Sequence, residues 1–112
     1  MSHSTEHHAQ AQHLERLIAE AADVTGILPT IDRCQQLHDE LRAAIGDLAN
    51  QVRRRLDYQA SDTAAWTRCE HALLKAQGAL LGSLGAGLRS AALHVQTLGE
   101  AAAALNDCIR DQ

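Results

Sequence analysis

The stretch Gly78-Ala79-Leu80-Leu81-Gly82-Ser83-Leu84-Gly85-Ala86-Gly87-Leu88 decides the fold. It lies inside an apolar stripe that runs from Trp66 through Cys69, Leu73, Leu80, Leu84, Leu88, Ala91, Val95, Leu98, Ala102 and Leu105 to Ile109, with Gln77 as the one polar member. The steps alternate between three and four residues, which is the period of an α-helix. Two chain paths fit. In one, a single helix continues from about Asp62 to Arg110, on the order of 70 Å long at the α-helical rise. The small residues Gly78, Gly82, Ala86 and Ser90 then fall at four-residue steps and form a groove that lets a second backbone approach closely; such a rod is a helical hairpin that needs a dimer. In the other, the chain turns near Gly85 to Gly87. Glycine costs about 1 kcal/mol relative to alanine in a helix interior, and four of the chain's seven glycines crowd into this segment. That penalty favours the turn, with helix 3 running from about Asp62 to Gly85 and helix 4 from about Gly87 to Arg110.

Working outward, two more helices precede these. Helix 1 spans about Thr5 to Thr25, with Leu14, Leu17, Ile18, Ala21 and Val24 on one face. Gly26 suits the position after a helix end and Pro29 suits the opening of the next. Helix 2 spans about Pro29 or Thr30 to Leu56; Ile31, Cys34, Leu41, Ile45, Leu48 and Val52 form its stripe, with Leu37 and Ala44 alongside. Asp32 in its first turn and Arg53, Arg54 and Arg55 in its last complement the helix dipole. Ser61 or Asp62 is a plausible N-cap for helix 3. Four helices of comparable length joined by short turns predict an all-α, antiparallel up-down four-helix bundle. The 112 residues make a single domain, with residues 1–12 read as a flexible, His-rich leader.

Composition excludes several classes. Alanine and leucine dominate, phenylalanine is absent and only Trp66 and Tyr58 are aromatic, a profile that suits helix and not sheet. The net charge of −4 argues against a nucleic-acid partner, which selects a basic face; Arg53 to Arg55 are read instead as helix-end cations. No apolar run approaches the ~20 residues of a membrane span, so no membrane partner is expected. Three cysteines, Cys34, Cys69 and Cys108, with no secretory signal point to a reducing cytoplasm. Lys75 is the only lysine among ten basic residues, the flavour of a high-GC, actinobacterium-like genome.

Few residues carry chemistry. No nucleophile sits in a Gly-x-Ser-x-Gly motif, and the glycines follow no strand and precede no Lys-Ser or Lys-Thr, so no enzyme and no cofactor are expected. Cys34 and His38 lie one turn apart on helix 2, and His94 lies early on helix 4. In an up-down bundle these helices start at the same end, so the three residues could share a layer as metal or haem ligands, which is the alternative reading of a metal- or haem-binding bundle. The bland alternative makes Cys34 a small core hydrophobe and puts His38 and His94 at the solvent edge. Neither Glu-x-x-His nor Cys-x-x-Cys-His is present. Cys69 and Cys108 fall together at the opposite end, as core thiols that could pair on oxidation.

Tyr58-Gln59-Ala60-Ser61-Asp62 resembles the Tyr-x-x-x-Asp/Glu export signal of type VII secretion substrates, which are helical hairpins of about this length. The resemblance implies an exported hairpin. The chain departs from that family in lacking its Trp-x-Gly turn, since Thr67 and Arg68 follow Trp66, and in placing the tyrosine motif mid-chain. The residues themselves point elsewhere, to a small, non-catalytic, cytoplasmic module that binds protein and associates with itself. Its interaction surface is read at Gly78, Leu81, Gly82, Ala86 and Ser90.

Overall fold

In the computed structural model, which describes residues 2–24, 26–58, 63–85 and 87–110, four helices follow one another: α1 (Ser2–Asp23), α2 (Ile31–Leu56), α3 (Ala64–Leu81) and α4 (Leu88–Arg110). No strand occurs among the described residues. Thr30 caps α2 by accepting a hydrogen bond from the Arg33 backbone N–H at 3.1 Å, and Thr63 caps α3 in the same way from Trp66. The expected caps Ser61 and Asp62 lie outside the described residues. Helix α1 begins at Ser2, ahead of the expected start, because nothing between there and Asp23 is glycine or proline.

The chain does turn in the glycine-rich segment, and the continuous rod is not formed. Helix α3 stops at Leu81, four residues before the expected end, with Gly82 as its C-cap. Gly85 and Gly87 then adopt φ of 69° and 94°, a region that residues with a Cβ rarely enter. The two glycines reverse the chain there.

The bundle runs up, down, up, down. Glu20 near the end of α1 meets Arg33 near the start of α2, and Arg55 meets Ile109 where α2 and α4 both end. Helix α4 packs against all three others and most extensively against α2, whereas among the described residues α1 and α3 do not pack against each other. The diagonal pair α2 and α4 therefore forms the spine, flanked by α1 on one side and α3 on the other. The result is flat, 44 × 36 × 19 Å, with a radius of gyration of 14.7 Å where a rounder fold of this length would have about 13 Å.

The core follows the expected stripes with some shifts. Leu37, Leu41, Ile45, Val52, Val95, Leu98 and Leu105 are fully buried. Ile31 is not: it opens α2 at the bundle end and is 46% exposed. Gln77 is exposed, and Trp66 is only half-buried. Helix α4 buries more than one stripe, including Ala91, Ala92, Gly99, Ala101 and Ala102, as its central position demands. These small residues let neighbouring backbones come close. A Cβ added to Gly99 would lie 2.5 Å from the Cβ of Ala21, so α1 and α4 touch with almost no side chain between them.

Gly99→Ala tests this contact. Helix propensity alone would make it stabilising by about 1 kcal/mol, but the clash with Ala21 dominates and the expected outcome is a loss of about 1–3 kcal/mol in urea unfolding. Gly46→Ala, whose added methyl meets nothing within 4 Å, is expected to be neutral or stabilising by up to about 1 kcal/mol.

Candidate functional site

One end of the bundle gathers the start of α2, the end of α3 and the start of α4, and with them the unusual polar chemistry of the chain. His38 projects from α2 and His94 from α4, and their ring centroids are 5.2 Å apart with planes tilted by 44°. The shared layer expected from the parallel starts of α2 and α4 is therefore present for these two. Cys34 lies one turn before His38 and is fully buried. Among the described residues, however, no group of three or more His, Cys, Asp or Glu side chains is placed to hold a metal ion.

His94 does not sit at the solvent edge. It is 9% exposed, and its Nε2 is buried without a hydrogen-bond partner. Its ring is pressed against the α3 C-cap, where a Cβ on Gly82 would lie 2.9 Å from His94 Cε1 and 3.0 Å from Nδ1. Gly82 has an extended backbone, φ −76° and ψ 171°, so the need for glycine here is one of space and not of conformation. Burial pushes the His94 imidazole below its ordinary range, and the neighbouring charges of His38 and Arg42 push in the same direction. Arg42 is held in place: its Nη1 donates to the Leu80 carbonyl at 2.8 Å, satisfying one of the carbonyls left open where α3 ends. His38 is mostly buried, with Nδ1 3.3 Å from the exposed Asp39 carboxylate.

The other anticipated surface residues are dispersed by the turn. Gly78 is exposed on α3, with open space where its Cβ would be. Gly82 is taken up against His94. Ser90 is exposed on α4 and packs beside Gly85, and Ala86 lies outside the described residues. Leu81 ends α3 at 89% exposure and Leu74, two turns earlier on the same side of the helix, is 57% exposed. Other large apolar residues reach solvent at the α1–α2 turn, Ile27 at 89% and Leu28 at 43%. A cleft of about 680 Å³ follows the α1–α2 seam over Leu14, Leu17 and Leu48, spanned by His13 and Glu40 at 3.5 Å.

The arginine cluster is largely committed to helix ends. Arg55 Nη1 donates to the Ile109 carbonyl at the end of α4, while Arg53 and Arg54 bond to Asn50 on their own helix. Tyr58 is 91% exposed, but Gln59 to Asp62, the rest of the export-like motif, lie outside the described residues. Among those residues, no helix is long and apolar enough to cross a membrane.

Residues 8–111 match the family model DUF6415, described as a family of unknown function. The chain belongs to this family. No curated protein and no solved structure matches it. In this DUF6415 member two features stand out, the buried histidine end and the exposed leucines on the outer face of α3. The pairing of His38 with His94 was legible from the parallel starts of α2 and α4, and the off-stripe Leu74, Leu81 and Leu93 already marked α3 and α4 as apolar on more than one face. What the solvent-edge alternative missed is the burial of His94, which follows from the packing of α4 against all three other helices.

Two measurements test the histidine end. Gly82→Ala is expected to cost about 1–3 kcal/mol in the native background and clearly less in His94→Ala, where the ring it strikes is gone. A histidine lowered by folding is protonated more readily in the unfolded chain, so its contribution to stability is complete above the ordinary value near 6.5 and declines as pH falls below it. Urea midpoints at pH 7.5 and 5.5 are expected to fall further in the wild type than in His94→Leu. Equal falls in the two would remove His94 as the cause.

Proposed function

We propose that the protein is a non-catalytic, cytoplasmic protein-binding module that associates with itself through the outer face of α3. The observation that carries this reading is the pairing of two exposed leucines, Leu74 and Leu81, on one stripe of that helix with the unshielded Gly78 between them. The inner face of α3 is already spent on the core, through Cys69, Ala72, Leu73, Ala76 and Ala79. Leu74 and Leu81 form a narrow apolar stripe on an outer face otherwise carrying His71, Lys75 and Gln77. Large side chains left in water at helical spacing are characteristic of interaction surfaces.

Self-association follows from the symmetry of the stripe. A two-fold axis near Gly78 would lay two α3 helices antiparallel, bring Leu74 of one copy against Leu81 of the other twice over, and let the backbones close at the glycines. An isologous dimer requires self-complementarity of this kind. Enzymatic function has no comparable support: the His38 and His94 rings pack against each other between α2 and α4, and Arg42 is engaged with the Leu80 carbonyl.

Sedimentation equilibrium over a range of concentrations decides the matter. A monomer–dimer equilibrium is expected, and Leu81→Glu or Leu74→Glu should weaken it by roughly 30-fold, corresponding to about 2 kcal/mol of lost anchor contact. Helix content by circular dichroism should be unchanged, because both side chains are exposed in the single chain. A wild-type protein that stays monomeric at the highest concentration, or a dimer indifferent to both substitutions, would overturn the proposal.

A further inference from the structure

At the opposite end from the histidines, Cys69 near the start of α3 and Cys108 near the end of α4 face each other across an antiparallel helix pair. Both are free and 98% buried in the core where α3 and α4 pack against each other, and Cys69 lies close enough to Cys108 to raise its thiol. The third cysteine, Cys34, is fully buried near the start of α2, the far end of the bundle from this pair. The chain thus has one vicinal dithiol and one isolated thiol, separated by the length of the bundle. We propose that Cys69 and Cys108 form a redox-modifiable pair that closes to an intramolecular disulfide under a two-electron oxidant.

With an azodicarboxamide such as diamide the step balances simply. One cysteine thiolate adds to the N=N bond and forms an S–N bond. The second thiolate attacks that sulfur, the S–S bond forms as the S–N bond breaks, and the hydrazine leaves. The two hydrogens lost from the thiols end on the hydrazine nitrogens, so the protein is oxidised by two electrons and the reagent is reduced by two. The thiolate is the attacking form. Burial, together with the contact from Cys69, pushes the Cys108 thiol up to about 12, so the closed bundle resists the reaction. Oxidation is therefore expected to proceed through opening of the α3 N-terminal turn and to be slow beside that of an exposed thiol. The disulfide would tie the two far ends of the α3–α4 hairpin.

The test is a peptide map of the native full-length protein after treatment with diamide, with free thiols alkylated before digestion. The expected product is a monomer that has lost two hydrogens, with Cys69 and Cys108 in one linked pair of peptides and Cys34 alkylated. Cys34→Ser should give the same linkage at an unchanged rate. Cys69→Ser and Cys108→Ser should each abolish it. A linkage to Cys34, a disulfide between chains as the main product, or no hydrogen loss in the folded protein under conditions that oxidise it in urea would each overturn the proposal.

Discussion

The close approach of α4 to its neighbours is the constraint on which the rest of the structure depends. A helix that touches three others in a bundle only 19 Å thick cannot carry large side chains on every face. Helix α4 meets this with alanine and glycine where α1 comes near and with Val95, Leu98 and Leu105 where space allows. At Gly99 the separation leaves no room even for a methyl group beside Ala21. Interiors packed to crystalline density transmit such a restriction. With α1 drawn onto α4 and α3 held on its other side, α2 has one place left, along the diagonal, and there it makes the most extensive packing in the molecule.

Much of this was legible in the residues. The break at Gly26 to Pro29, the four apolar stripes and the density of glycines between Gly78 and Gly87 gave four helices and their alternating directions. The end of α3 was harder to place. The stripe keeps its phase past Leu81 because two antiparallel helices facing one core each present an apolar side, and the periodicity alone does not register that the chain has reversed between them. Ile31 fits the periodicity of α2 and still reaches solvent, since a residue in the first turn lies at the edge of the layer whatever its phase. The depth of His94 was hidden for the converse reason. The main stripe gives α4 one inward face and the off-stripe Leu93 points to a second, but only the packing of α4 against three helices shows that His94 is carried into the interior.

The polar features divide between the two ends. At one, two imidazoles and a guanidinium crowd together with a buried ring nitrogen left unbonded, a condition that favours the uncharged ring. At the other, Cys69 and Cys108 are both buried. Burial holds the His94 ring below its ordinary range at one end and raises the Cys108 thiol at the other. The ion pair between Arg33 and Glu20, with contacts of 2.7 and 2.6 Å, is of a different kind. It lies partly exposed, where the guanidinium holds the carboxyl below its usual range, and it fastens the first hairpin without entering the core.

The two long-range arginine contacts of α2 bear on how the fold assembles. Arg42 completes the end of α3 through Leu80, and Arg55 completes the end of α4 through Ile109. One carbonyl at the end of each helix of the second hairpin is thus satisfied by a donor that belongs to the first. Neither hairpin is a finished unit by itself, because one keeps unpaired donors and the other unpaired acceptors until they meet. These two contacts couple the completion of the α3 and α4 ends to the packing of the first hairpin against the second.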